Sequence, residues 1–294
     1  MCSKILWIYK RSCETALDLP GARSVIGRPD VWQIGGYYGI LFLGLILLRY
    51  VLFIKEREEN ETKIGGNVGI RKRGRVDTSG RKRWFASFLW VVGIMILTVC
   101  FGEAGKLTIV VLDVGQGDGI FMKGPEDGTY LVDGGSSDIK KVGQYRLESF
   151  LKFQGVGALD YVLISHGDSD HMNGVEELIE RQDIGVEIGT LVLPAEEVWD
   201  EALAGLSKKA KSYGVRVAVM ESGQSIREGN MEITCIQPGN PGTEAENRES
   251  KRLDAEGGYE SGNMASMVLA VKFKEFDMLL TGDVEGEGEE QLIE

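Results

Sequence analysis

The chain has 294 residues, with 33 Lys/Arg against 45 Asp/Glu, two histidines and four cysteines. Residues 1–102 carry 16 basic and 8 acidic side chains and residues 103–294 carry 17 and 37, so the two regions are made for different surroundings. The acidic region does not suit simple electrostatic capture of nucleic acid, which uses a basic groove, and four cysteines without a CxxC pair exclude a disulfide framework.

In chain order, the opening stretch MCSKILWIYKRSCETALDLPGARSVIG has no apolar core of signal length and no small-residue cleavage site, so it is not a signal peptide. Residues 1–33 read as a juxtamembrane segment. Ile5, Leu6, Ile8, Tyr9, Cys13, Ala16 and Leu17 share roughly one helical face, which fits a helix lying on a membrane and fits an ordinary packed helix equally well. Residues 34–54 and 84–102 are apolar runs of 21 and 19 residues, the first with one charge, Arg49, and the second with none. Each is long enough to cross a bilayer core of about 30 Å. Tyr37, Tyr38, Tyr50, Trp84 and Trp90 stand near their ends, where aromatic belts form. The loop between them, residues 55–83, holds ten Lys/Arg. Basic loops stay in the cytoplasm, so residues 103–294 are expected outside the cell, on a multi-pass membrane protein. A nucleic-acid patch is the rival reading of that loop.

Residues 103–294 read as one α/β domain of layered sheets and helices. Strands are expected at 106–114, 119–122 and 129–132, then a helix through Leu147, Phe150, Leu151 and Phe153 that ends at Gly155. Next come a strand at 159–164, a helix through Val175, Leu178 and Ile179, a strand at 190–193 and a helix over 196–213 closed by Gly214. Strands follow at 215–220 and 231–236. Residues 238–262 form a long exposed loop rich in Pro, Gly and Glu, and a hairpin over 265–280 turns at Lys274-Glu275.

The chemistry gathers at SHGDSDH, residues 165–171. Both histidines of the chain, His166 and His171, stand here with Asp168 and Asp170 between them, directly after the apolar run 161–164. Imidazole and carboxylate are ligands for divalent metals, and a turn at a strand end aims several of them at one point. The bland reading is a polar strand-to-helix turn capped by Ser169 or Asp170. Three more carboxylates stand among glycines at strand ends, in LDVGQGD (112–118), LVDGG (131–135) and TGD (281–283).

Together these motifs resemble the metallo-β-lactamase superfamily, whose HxHxDH signature here has Asp168 at its second histidine. The variant HxDxDH, with LDVGQGD and LVDGG before it and TGD after, is similar to the extracellular domain of ComEC-type DNA-internalization proteins, over nearly all of 103–294. The stretch LPGARSVIGRPDVWQIGGYY with the two apolar runs resembles the end of that family's membrane channel. The resemblance implies a four-layer αββα sandwich, C-terminally incomplete here, with one or two divalent metals, Mn or Zn foremost. His166 and Asp168 would hold one metal, Asp170 and His171 the other, and Asp283 would bridge them. Asp170, His166 and Asp168 would serve catalysis, with Asp170 also positioning the attacking water. Asp133 would orient ligands from behind. Asp113, Gln116 and Asp118 match the strand-turn motif near the site, with a structural or supporting role, and Asn263 and Ser266 match a polar pair of open role.

The implied activity is hydrolysis of extracellular DNA during uptake, with the rest of the uptake channel as partner. The family carries more membrane spans before this point and a histidine motif after TGD, so the chain is expected to be truncated at both ends. Two other functions stand beside that one. The chain could cleave another phosphoester or small ester with the same fold, which the acidic surface favours. It could also be an inactive membrane or partner-binding fragment.

Overall fold

The computed structural model describes residues 2–17, 25, 27–29, 31–65, 105–238 and 266–293. They form two compact units, one of residues 1–27 with 103–294 and one of residues 28–102.

The first unit opens with helix α1 (Cys2–Leu17), whose expected apolar face is unburied: Ile5, Leu6, Ile8 and Tyr9 are all exposed. In the second unit one helix, α2 (Val31–Gly65), is described. Its stretch Val31–Tyr50 is long and apolar enough to cross a membrane, and none of it is buried. The helix runs past residue 54, where the apolar stretch ends, because KEREENETK continues with strong helix formers. The second apolar run, 84–102, and the basic residues from 66 to 83 lie outside the described residues, as do Asn263 and most of the loop 238–262.

The rest of the first unit is the α/β domain. Strands β1 (Thr108–Val111), β2 (Ile120–Lys123) and β3 (Thr129–Val132) form an antiparallel meander. Strands β4 (Ala158–Leu163), β5 (Glu187–Leu193) and β6 (Arg216–Val219) continue the same sheet in parallel, in the order β1-β2-β3-β4-β5-β6. Parallel strands are covered on both faces, which is why Leu159, Val162, Leu163, Leu191, Val192 and Leu193 form near-continuous apolar runs.

A short π-turn leads into α3 (Glu148–Phe153). Helix α4 (Ser169–Arg181) buries Met172, Val175, Leu178 and Ile179, one helical stripe, against the sheet. Helix α5 (Glu201–Ser212) starts five residues later than its sequence pattern predicts. Asp200 is its N-cap, its carboxylate accepting from the Leu203 N–H at 2.8 Å, and Glu196–Val198 forms a separate 3-10 turn.

The second sheet is antiparallel throughout, in the order β10-β9-β8-β7, from β7 (Ser225–Glu228), β8 (Met231–Gln237), β9 (Val268–Phe273) and β10 (Phe276–Leu280). Strand β7 has a single large apolar residue, Ile226, and so leaves no pattern to read in sequence; its pairing with β8 forms it. A last helix, α6 (Glu287–Ile293), follows.

Two apolar cores join these layers. Leu131, Val162, Ile164 and Leu191 meet the helices α3, α4 and α5, while Met122, Val132, Leu163 and Val192 meet Ile233, Cys235, Leu269 and Val271 of the second sheet. Helix layer, sheet and sheet are thus the α, β and β layers of the expected sandwich.

Candidate metal centre

The site lies where β3 and β4 end and the loop after β10 returns. Strand β3 delivers Asp133. Its backbone sits at φ 54, in the left-handed region, and its N–H donates to the Leu163 carbonyl at 2.8 Å. A non-glycine residue at positive φ stores strain that the surroundings must hold, and such residues cluster at working sites. Strand β4 delivers Ser165 and His166, and the first turn of α4 delivers His171.

One buried carboxylate organises this group. Asp133, 2% exposed, accepts at Oδ1 from the Ser165 N–H (2.8 Å). At Oδ2 it meets the Ser165 hydroxyl (2.7 Å) and His171 Nδ1 (3.1 Å). The Ser165 hydroxyl also lies 2.9 Å from His166 Nδ1. The two imidazole rings lie with centroids 4.2 Å apart, tilted 49° to one another.

The outward nitrogens are the candidate donors. His171 Nε2 lies 3.2 Å from Asp283 Oδ2. His166 Nε2 is buried and has no hydrogen-bond partner among the described residues. Asp168 Oδ2 stands 3.5 Å from it, within ion-pair range but not hydrogen-bonded. His166, His171 and Asp283 bring one donor atom each within 4.8 Å of one another, and so do Asp118, Asp133 and His171.

A buried imidazole nitrogen without a partner costs about 1–3 kcal/mol, and native proteins rarely leave one. A divalent cation between His166, His171 and Asp283 removes that cost and offsets the gathered carboxylates, so these residues fit a metal.

The electrostatics agree. Burial alone would lower the His171 pKa, but the hydrogen bond and charge of Asp133, with Asp283 and Asp118, outweigh it and push the ring up to about 9. Burial raises the Asp118 carboxyl above its ordinary value, helped by Asp133 and Asp283 and opposed by the two histidines.

The loops hold this arrangement with close backbone contacts. The Asp118 N–H donates to the Asp170 carbonyl, the Gly135 N–H to the Asp118 carbonyl and the Gly134 N–H to the His171 carbonyl. A Cβ on Gly117 or Gly135 would strike the Asp170 backbone, so only glycine allows this approach. Asn173 ties the same parts from the other side, its Oδ1 accepting from the Ser136 N–H and its Nδ2 donating to Ser136 O and Ser169 Oγ.

The other expected site residues are placed as follows. Asp170 is half-buried on the first turn of α4, and Asp168 is half-exposed as the residue before it. Asp113 points outward, with 84% of its side chain exposed and Arg146 at 3.5 Å. Gln116 is exposed, and its N–H donates to Asp138. Ser266 is 1% exposed, with its hydroxyl unpartnered among the described residues. A pocket between the sheets, lined by Asp118, Asp133, Ser165, Met267 and Gly282 among others, opens beside this group. Ser165 and Asn173 were not singled out by the sequence. The one signal for Ser165 is a hydroxyl directly before the first histidine.

The family model described as the metallo-beta-lactamase superfamily matches residues 112–294. Among curated proteins, ComE operon protein 3 of Bacillus subtilis is 25% identical over 216 residues, covering 69% of this chain and 25% of that protein. The chain therefore spans about a quarter of that relative's length. Among solved structures, the metallo-beta-lactamase fold protein YhfI of Bacillus subtilis is 16% identical with a TM-score of 0.36, covering 60% of each chain. The FEZ-1 metallo-beta-lactamase of Legionella gormanii is 16% identical with a TM-score of 0.37, covering 62% of each chain.

Proposed function

The chain belongs to the metallo-beta-lactamase superfamily, and from that premise we propose that it is a membrane-held, divalent-metal-dependent phosphodiesterase acting on extracellular DNA during uptake. The observation that carries the hydrolase reading is the buried Nε2 of His166, unpartnered among the described residues, beside the His171–Asp283 pair. The similarity to ComE operon protein 3 supports DNA as substrate and the rest of an uptake channel as partner. The stretch Val31–Tyr50 supports attachment to the membrane. The proposed organisation is a juxtamembrane segment (1–33), two spans (34–54 and 84–102), a basic cytoplasmic loop between them and an external hydrolase domain (103–294).

In this reading His166, His171 and Asp283 would hold the cation, with Asp168 and Asp118 beside them. When bound, a divalent cation lowers the pKa of water towards neutrality and stabilises charge on a phosphoryl oxygen. Asp133 keeps the His171 ring turned so that Nε2 faces the site. Asp170 is the carboxylate we assign to holding the attacking water and accepting its proton. Met267, Met278 and Leu280 supply apolar parts of the pocket lining.

A second reading, a small phosphoester as substrate, is favoured by the 37 acidic against 17 basic residues of 103–294, which repel a polyanion. The test is to purify the full chain without chelator, count Mn, Zn and Fe per chain, and assay plasmid DNA beside a small phosphodiester. About one or two metals with DNA cleavage, both lost in His166→Ala, is the expected result. Cleavage of the small ester alone supports the second reading. Folded protein that holds no metal overturns the hydrolase.

A further inference from the structure

With Asp133 ionised, the hydrogen bonds around it admit one arrangement of protons. The carboxylate then supplies none. Its Oδ2 faces two groups, the Ser165 hydroxyl at 2.7 Å and His171 Nδ1 at 3.1 Å, and both must donate. Ser165 has a single hydroxyl proton, and Asp133 takes it. The Ser165 oxygen, 2.9 Å from His166 Nδ1, can then only accept, so the hydrogen on that side belongs to His166 Nδ1. The reverse, with Ser165 donating to His166, would set two oxygen lone pairs against each other at 2.7 Å inside a buried cluster.

We propose that Ser165 is a positioning residue whose hydroxyl fixes His166 in the tautomer that carries hydrogen on Nδ1 and turns the lone pair of Nε2 into the site. One carboxylate thereby sets both rings, His171 directly and His166 through Ser165. The orphaned Nε2 of His166 then has its cause: the atom is a lone pair facing its neighbour Asp168 Oδ2 at 3.5 Å, two acceptors that a cation between them would satisfy. Ser165 itself is 1% exposed and its hydroxyl is taken up by Asp133 and His166, so it acts through them. The tautomer stands on hydrogen bonding alone. What the lone pair serves rests on the metal-dependent reading above.

With only two histidines in the chain, the tautomer can be read directly. The full chain, labelled with nitrogen-15 in histidine and held metal-free in detergent at about pH 8, above the ordinary imidazole range, gives two imidazole spin systems. Those of His166 are assigned by their loss in His166→Asn. The expected parent spectrum has hydrogen on Nδ1 and a bare Nε2. In Ser165→Ala, Nδ1 loses its acceptor and the hydrogen moves to Nε2, where Asp168 can receive it. Zn²⁺ or Mn²⁺ affinity by calorimetry then falls about 10- to 100-fold. Ser165→Thr keeps the hydroxyl and restores both readouts.

A parent with hydrogen on Nε2 overturns the proposal, and this reading needs no variant that folds. So does Ser165→Ala that keeps Nδ1–H, or one that changes tautomer with unchanged metal affinity. A parent with the expected tautomer but no metal affinity leaves the relay standing and overturns the hydrolase reading instead.

Discussion

His171 is held between two carboxylates, its Nδ1 3.1 Å from Asp133 and its Nε2 3.2 Å from Asp283. In the metal-free protein this ring is therefore pushed up to about 9. A folded-state pKa above the unfolded value of about 6.5 stabilises the fold fully below pH 6.5 and loses that contribution as pH rises through 9. Because a cation must displace this proton, metal affinity should rise from pH 6 to pH 9. Calorimetry in buffers of differing ionisation enthalpy should show close to one proton released at pH 7. Affinity flat across that range would contradict the geometry.

Asp133→Ala should be among the most damaging substitutions. It leaves the Ser165 N–H, the Ser165 hydroxyl and His171 Nδ1 without their acceptor in a buried cluster. The expected loss is about 3 kcal/mol or more in a urea melt of the metal-free protein, with metal binding reduced at least as far as by Ser165→Ala.

Gly135→Ala sets a methyl group against the backbone of Asp170 and His171, which cannot yield without moving the ligand turn. We expect about 3 kcal/mol of destabilisation and loss of metal. Gly205→Ala, at a site on α5 with open space, should be neutral or slightly stabilising by the same melt.

Away from the site, Glu148 is 6% exposed and paired with Arg181 at 2.8 Å and Lys152 at 2.6 Å. Burial pushes its carboxyl up, but the two cations together win and hold it below the ordinary range. A depressed carboxyl gives stability present above pH 4.5 and lost as pH falls through the folded value. Glu148→Gln should cost about 1–3 kcal/mol at pH 7, and the gap to the parent should close in acid.

Thiol labelling separates two cysteines. Cys13 is exposed, while burial pushes the Cys235 thiol up to about 12. A maleimide at pH 7 should modify Cys13 within minutes and leave Cys235 intact until urea is added.

Much of the domain could be read because its signals are local. The run at 129–132 is a strand with those same bounds, the last hairpin turns at Lys274-Glu275 as expected, and both histidines stand together with no intervening fold to predict. What escaped was set by partners distant in sequence. Strand β7 needs β8, the start of α5 needs the Asp200 cap, and Ser165 has a role only because Asp133 lies 32 residues earlier. Asp118 reads as a supporting residue in its own motif. Beside Asp133 and His171 it stands among the candidate donors, since the glycine-lined loop folds back under Asp170.

The candidate ligands come from both halves of the sandwich: His166 and His171 follow β4 of the larger sheet, and Asp283 follows β10 of the smaller one. A cation held by all three would be a clasp across the seam, binding to the closed sandwich and not to its parted sheets. Such a clasp raises thermal stability by mass action with free metal concentration. A chelator would then do more than silence the chemistry. It would loosen the smaller sheet and open the β8–β10 layer to proteases.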